Sequence, residues 1–377
     1  MGKESIRQVV RFADFFVDDT KSGVKIPQSK YASQGRNVII DQGDNNVAGY
    51  SDSDDGLYTS VPVVVFGNHT RIVKYVDRPF FIGADGVKIL KPQNGVNPLY
   101  AFYALKAAHI DSLGYSRHFK LVKELTFALA DVKMQERIAA TLDKICELKK
   151  NAETRLEKLD LLVKSRFVEM FGDPMTNPKR WPKKKMVKVI DRIGNGRSFV
   201  CESFARTGEN PAILKLGAAT WGVYKPEENK ALKAGVTYYP DCEVKPGDLL
   251  FTRKNTLELV GKCAYVRETP PKLMLPDLIF RLETNERIDK LYLANLINHD
   301  GSRAAIQRLA SGSAGSMPNI SKARLLGLAI PLPPLPLTLQ REFAAFVEKV
   351  DKLKDVAKKS VEQMDVLYRS KLQEYFG

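Results

Sequence analysis

From Gln135 to Met170, apolar residues recur at alternating steps of three and four: Ile138, Leu142, Ile145, Ala152, Leu156, Leu159, Val163 and Met170. This is heptad spacing, and Lys, Glu, Asp and Arg fill the other faces, so the segment predicts one long helix with a narrow apolar seam. The pattern returns at the end of the chain through Phe343, Val347, Val350, Ala357, Val361, Met364, Tyr368 and Tyr375. The two segments match at a constant offset of 205 positions without insertion, from Gln135 and Gln340 to Phe171-Gly172 and Phe376-Gly377. At ~1.5 Å per residue each helix extends about 50 Å, and two such seams bury each other most simply. A chain that makes the same helix twice, each time after a mixed stretch, suits a two-sided target.

Both seams carry a lysine at the same step, Lys149 and Lys354. Snorkelling to water is the plainer expectation there; fixing the register or facing a partner protein are the alternatives. Phe171-Gly172-Asp173-Pro174 stops the first helix, because glycine suits the left-handed C′ position and proline cannot continue the ladder.

Outside the helices the pattern is mixed. Val61 to Phe66, Val87 to Leu90, Asp248 to Thr252 and Leu278 to Leu282 predict buried strands; Leu99 to Ala108 and Leu291 to Asn298 predict short helices. Val9 to Asp14 resembles Met186 to Asp191, and Asp85 to Tyr100 matches Asp277 to Tyr292 with equal internal spacing. Between these points the halves differ in length and in nearly every residue, so the frame is duplicated while the surface is not, and specificity is expected in the divergent parts. The run Pro331-Leu332-Pro333-Pro334-Leu335-Pro336 is an extended entry into the last helix. The expected class is α+β, with a first mixed α/β globular domain at 1–132, a first long helix at 133–172, a second domain at 173–336 and a second helix at 337–377.

Composition adds a charge. Length and the 44% apolar content suit two folded domains, and 59 Lys+Arg against 44 Asp+Glu leave a net +15, which favours a polyanionic partner through counterion release. A merely basic soluble protein is the plainer alternative. Cys146, Cys201, Cys242 and Cys263 lack the CxxC spacing of a zinc or redox site, and free thiols fit a reducing cytoplasm. The opening MGKESIRQVV has no apolar h-region, and no run approaches the roughly 18 apolar residues of a membrane span. A cytoplasmic chain without a membrane partner is expected.

Catalytic motifs are absent: there is no Gly-rich cofactor loop with an Asn/Asp-Pro-Pro-aromatic partner, no GxxxxGK[ST], no GxSxG and no HExxH. Asp54-Asp55 and Glu227-Glu228 read as solvated loop carboxylates, and no metal is expected. The chain is read as non-catalytic. Polar and basic loops concentrate instead. Arg253-Lys254-Asn255-Thr256, with Lys262 beyond, follows a strand and suits base edges and phosphates. Ser313, Ser316, Asn319 and Lys322 lie in a small-residue loop whose N–H groups let a phosphate approach. In the first half Asn68, His69, Thr70 and Arg71, with Lys74, follow a strand, and Tyr115, Ser116, Arg117, His118 and Lys120 precede another. Ordinary solvated turns are the plainer account of each. The run Lys179 to Lys185 reads as a solvated linker.

The helix opening Gln135-Glu136-Arg137-Ile138-Ala139-Ala140-Thr141-Leu142-Asp143-Lys144-Ile145 and closing Phe167-Val168-Glu169-Met170-Phe171-Gly172-Asp173-Pro174, with Met317-Pro318-Asn319-Ile320-Ser321 leading to Ile330-Pro331-Leu332-Pro333-Pro334 and Gln340, resembles the specificity (S) subunit of type I restriction-modification systems. The resemblance spans essentially the whole chain. It implies two target recognition domains, each reading one half of a split asymmetric site in double-stranded DNA. It also implies that the two helices form an antiparallel coiled coil, pseudo-two-fold symmetric, that sets the gap and docks modification (methyltransferase) subunits. Restriction/translocase subunits would join them, and S-adenosylmethionine, ATP and Mg would belong to those partners, with no cofactor in this chain. The loop residues above would face DNA. One departure is that Ala128 to Met134 enter the first helix without the double proline found before the second. Two alternatives are an interaction scaffold built on the coiled coil and the detached specificity part of a fused restriction-methyltransferase.

Overall fold

The computed structural model describes residues 8–83, 85–312 and 317–377. Its contacts divide the chain into two units, one formed by residues up to Thr154 with Ala357–Gly377 and the other by Arg155–Val356.

The first unit runs β1 (Gln8–Arg11), α1 (Phe12–Phe15), β2 (Phe16–Asp18), β3 (Asn37–Ile40), β4 (Gly49–Ser51), β5 (Val63–Gly67), β6 (Val73–Val76), β7 (Phe80–Ile82), β8 (Val87–Pro92), α2 (Pro98–Ala107), α3 (Phe119–Val122) and β9 (Thr126–Leu129), then enters the long helix α4 (Val132–Phe171). Its sheets are β2-β8-β5-β6, β4-β3-β7 and β1-β9. The run Val63 to Phe66 is apolar throughout because it is covered on both sides. Val64 and Phe66 join Leu90, Tyr100 and Ala104 under α2, while Val63 and Val65 join Val38, Ile40, Phe80 and Ile82 of the smaller sheet.

The second unit repeats this with β10 (Lys183–Lys185), β11 (Ile190–Asn195), β12 (Ala212–Leu214), α5 (Gly217–Thr220), β13 (Asn229–Ala231), β14 (Leu249–Thr252), β15 (Cys263–Tyr265), β16 (Leu273–Met274), β17 (Ile279–Thr284), α6 (Lys290–Asn298), α7 (Asp300–Gln307), α8 (Lys322–Gly327), β18 (Ala329–Pro331) and the long helix α9 (Thr338–Phe376). Its sheets are β11-β17-β14-β15, β13-β12-β16 and β10-β18. In each three-stranded sheet the central strand pairs antiparallel with one neighbour and parallel with the other. The duplication therefore extends through the stretches where the sequences share nothing, since many apolar sequences satisfy one ladder.

The openings correspond in a different register from the one the sequence suggests. Phe16 faces Pro92 and Ile190 faces Thr284, so Met186 corresponds to Phe12, three residues downstream of Val9, its match by residue type. Lys183 to Lys185, expected as linker, form a strand: their backbones pair with β18 while their side chains stay exposed.

The long helices meet within each unit. Ile138, Ala139 and Leu142 of α4 share the first unit's core with Tyr368, Leu372, Tyr375 and Phe376 of α9. Phe343, Ala344, Val347 and Val350 of α9 share the second unit's core with Leu159, Val163, Phe167 and Phe171 of α4. The start of one helix packs with the end of the other, an antiparallel pairing in both units. The caps repeat as well. Asn97 accepts from the N–H groups of Leu99 and Tyr100, and Asp289 from those of Leu291 and Tyr292. Gln135 accepts from Asn97 N–H at 2.7 Å, as Gln340 does from Asp289 N–H at 2.9 Å. The hydroxyls of Tyr100 and Tyr292 donate to the carbonyls of Ala128 and Pro331 at 2.7 and 2.9 Å, so the entry without the double proline reaches the same seat. Gly172 closes α4 at φ +79, where a Cβ would also stand 2.6 Å from the Pro178 ring.

Lys149 and Lys354 do not snorkel. Lys149 pairs with Asp365 at 2.6 Å and Lys354 with Asp160 at 2.5 Å. Asp365 stands at the same offset from Asp160 as Lys354 from Lys149, so this is one ion pair made twice, each joining helix to helix at a fixed register. A second repeated contact has its partners exchanged. On β8 the Lys88 ammonium lies 4.7 Å from the ring of Phe119, whereas at the matching site of β17 Phe280 presents the ring, and the Lys322 ammonium lies 5.9 Å from it.

Candidate nucleic-acid interface

The strand frame brings the two candidate loops of each half together. After β5 the chain turns through Asn68, His69, Thr70 and Arg71, with Arg71 N–H donating to the Gly67 carbonyl at 2.7 Å and Arg71 itself at φ 63. Asn68 fastens the distant segment to this turn: its carbonyl accepts from His118 N–H at 2.8 Å and from His118 Nδ1 at 3.0 Å, and its side chain accepts from Phe119 N–H at 2.8 Å. His118 Nε2 accepts from Leu113 N–H at 2.9 Å, which assigns the imidazole proton to Nδ1. The His69 ring stacks on Tyr115, a residue 94% exposed, with centroids 5.1 Å apart, and His69 Nδ1 donates to the Ser116 carbonyl at 3.1 Å. Thr70 donates to the Gln42 carbonyl at 2.7 Å and Arg71 to the Ile110 carbonyl at 2.9 Å. Arg117 and Lys120 are exposed. Asp85 lies nearby, its carboxyl held below the usual range by its hydrogen bond to Lys25, with Arg117 and His69 adding to the effect.

Lys74 behaves differently. It is buried, and Nζ donates to the carbonyls of Asp41 at 2.8 Å and Asn45 at 2.5 Å. Burial lowers its pKa, against the opposing pull of Asp41. Asn68, Lys74 and His118 therefore hold the loops in place from inside, while His69, Thr70, Arg71, Tyr115, Ser116, Arg117 and Lys120 make the outer face.

In the second unit the excursion from Arg253 to Lys262 joins β14 to β15. Arg253 accepts from Ile320 N–H at 2.8 Å, Asn255 N–H donates to Pro318 at 3.2 Å, and Lys254 bridges to Asn319. Asn255 is buried, donating to Thr220 Oγ1 at 3.1 Å. Thr256 is exposed. Arg253 Nε donates to Asn319 Oδ1 at 3.0 Å, and its guanidinium lies 4.9 Å from the Phe280 ring. Lys322 donates to the Ile193 carbonyl at 2.7 Å. Burial lowers the Lys262 pKa, and repulsion from Arg303 and Lys164 adds to the shift. Ser313 and Ser316 lie outside the described residues. Among the described residues no group of three or more His, Cys, Asp or Glu could hold a metal, and no helix is long and apolar enough to cross a membrane.

Residues 178–363 match the model of the type I restriction modification DNA specificity domain. Over these residues, just under half of its length, the chain resembles the type I restriction-modification specificity family. The EcoEI specificity subunit of Escherichia coli is 30% identical over 169 residues, covering 44% of this chain and 28% of that protein. The chain spans under a third of the length of the curated relatives it matches. The crystal structure of the S subunit from M. genitalium superposes with a TM-score of 0.66 at 16% identity, covering 98% of this chain and 96% of that one. A structure described for complex assembly and conformational transition of the type I R-M system gives 0.50 at 15% identity, over 98% and 97%. The fold is therefore that of type I specificity subunits over nearly the whole chain.

Within this specificity fold the long helices leave apolar residues in water at matching positions. Leu148 and Leu353, Leu161 and Val366, and Leu162 and Leu367 are all exposed. Beside the first pairing of α4 with α9, Arg137, Ala140, Thr141, Lys144, Ile145, Leu367 and Lys371 line a groove of about 490 Å³. The seam pattern hid these residues, but reading the 205-position offset on the remaining helix faces would have found them. Gln42 and Phe280, which support the two loop pairs, carry no sequence signal because their partners are non-local.

Proposed function

We propose that the chain is the non-catalytic, DNA-reading subunit of a cytoplasmic type I restriction-modification complex. Residues 1–132 and 173–336 are its target recognition domains, each reading one half of a split, asymmetric site in double-stranded DNA. The helices at 133–172 and 337–377 set the gap between half-sites and carry the modification subunits; restriction subunits join that assembly. S-adenosylmethionine, ATP and Mg act on those partners. The observation that carries this reading is the repeated strand frame holding, at the same edge, two loop pairs of unlike sequence. One frame gives both domains the same way of presenting loops, and unlike loops make the two half-sites differ.

The net charge of +15 supports phosphate binding, and the repeated exposed apolar positions of the helices support docking of two like partners. In this reading Arg71, Arg117, Lys120, Lys254, Thr256 and Lys262 supply phosphate and base contacts, while Asn68, Lys74, His118 and Asn255 shape the loops. Affinity for DNA falls steeply with salt. The test is to map methylated adenines in cells expressing this chain with its modification subunits, then exchange residues 1–130 for those of a relative. Two short half-sites with a fixed gap are expected, one changing on exchange while the gap stays. If both halves change, the two-domain reading is wrong; if no methylation depends on the chain, the reading fails altogether.

A further inference from the structure

We propose that each unit reads a guanine at the junction of its two loops, through Arg253 in the second unit and Arg117 in the first, and that Asn319 positions Arg253 for this. The inference rests on the DNA-reading function proposed above and goes further, to a base type and the residues that select it.

The junction can be located in both units from backbone hydrogen bonds alone. Phe66 of β5 faces Lys88 and Phe251 of β14 faces Phe280, so these strands are in the same register and Asn68 stands where Arg253 stands. The carbonyl of Asn68 accepts from His118 N–H, and the carbonyl of Arg253 accepts from Ile320 N–H, each at 2.8 Å. The residue just before the donor is Arg117 in one unit and Asn319 in the other. The two junction positions thus hold Asn68 with Arg117 in the first unit and Arg253 with Asn319 in the second. The residue types are the same and the positions are exchanged.

The chemistry at the two junctions follows from that exchange. In the second unit Nε of Arg253 is engaged by Asn319 Oδ1 at 3.0 Å and the guanidinium rests against the Phe280 ring, which leaves the Nη pair. Neither Nη has a hydrogen-bond partner among the described residues. A planar fork held from behind by an amide and an aromatic ring, with both Nη groups open, matches the O6 and N7 acceptors on the major-groove edge of guanine. A phosphate takes the same fork, but losing that contact weakens all duplexes alike, whereas losing a guanine contact relaxes one base pair. In the first unit the Asn68 side chain is buried and taken up by Phe119 N–H, and the arginine is supplied from the other loop, where Arg117 is exposed beside the stacked His69 and Tyr115 rings. Moving the arginine from the hairpin to the facing loop moves the base it reaches, so equal frames address different positions in their half-sites.

The test uses the full-length chain with its modification subunits and a set of duplexes carrying every single base-pair change in the mapped site. Arg253→Lys keeps the charge but not the fork. It is expected to lower discrimination at one G·C pair of one half-site by about tenfold or more, leaving the other half-site and the salt slope unchanged. Arg117→Lys does the same in the other half-site, and its exposed position keeps the test open if Arg253→Lys fails to fold. Asn319→Ala should weaken discrimination at the pair that Arg253 reads and at no other, a readout that general destabilisation would not give. A uniform loss on all duplexes would make the arginines phosphate contacts and overturn the proposal, as would unchanged discrimination. Wild-type complex without any site preference would overturn the DNA-reading function itself, which separates the two failures.

Discussion

Gln135 and Gln340 occupy equivalent places and are not equally satisfied. Each accepts from the capping residue of a short helix, but Gln135 also donates to the carbonyls of Gly95 and Ala130 at 3.0 and 2.8 Å, whereas Gln340 Nε2 has no partner among the described residues. Gln135→Leu should therefore destabilise the chain by about 1 to 3 kcal/mol more than Gln340→Leu, measured as the shift in denaturant midpoint; equal losses would show that only the shared acceptor matters. Tyr100 gives a second test. Burial pushes its phenol up to about 12. The folded state thus keeps a proton that the unfolded chain releases near pH 10, so its contribution is intact below pH 10 and is lost as pH rises through about 12. Unfolding midpoints of wild type and Tyr100→Phe across that range should converge as pH rises, and parallel curves would rule the effect out. Polarity made the candidate loop residues visible in the sequence, but not the direction they face. Asn68, Lys74 and His118 look like readers until their acceptors, such as the Asp41 carbonyl for Lys74, are located on another strand.

At the scale of elements, the two long helices were legible almost to the residue, because a heptad seam is a local signal and α4 and α9 follow it. The three-stranded sheets were not legible, since strand pairing is non-local and short runs such as Ala212–Leu214 carry too few residues to show a period. The seam lysines fall between these cases: visible as anomalies, but explained only when Asp365 and Asp160 are found opposite them. Lys149 and Asp365 are both partly exposed, so a double-mutant cycle on this pair should give about 0.5 kcal/mol of coupling that shrinks with salt. Lys354 has 18% of its side chain exposed, but Asp160 has 66% and Asp351 shares the ammonium at 3.5 Å, so its coupling to Asp160 should be no larger. A clearly larger value for Lys354 would show that burial of the lysine alone sets the coupling.

For the whole molecule, exposure on the helices separates assembly from folding. Leu161 and Leu162 are exposed, so Leu161→Ser with Leu162→Ser should shift stability by no more than about 1 kcal/mol, about 0.5 for each surface substitution. If these positions dock modification subunits, the same double variant should lower co-purification of those subunits, and an unchanged complex would place the docking surface elsewhere. The exchanged pair Lys88 with Phe119 and Phe280 with Lys322 bears on how such a chain can be divided and rejoined. A chimera that kept β8 but took its following loop from the second unit would set lysine against lysine; cut the other way, it would set two phenylalanines face to face. The inherited part is the contact and not the position, so workable junctions fall outside the span from 88 to 119 or from 280 to 322, and either partner is replaceable only together with the other.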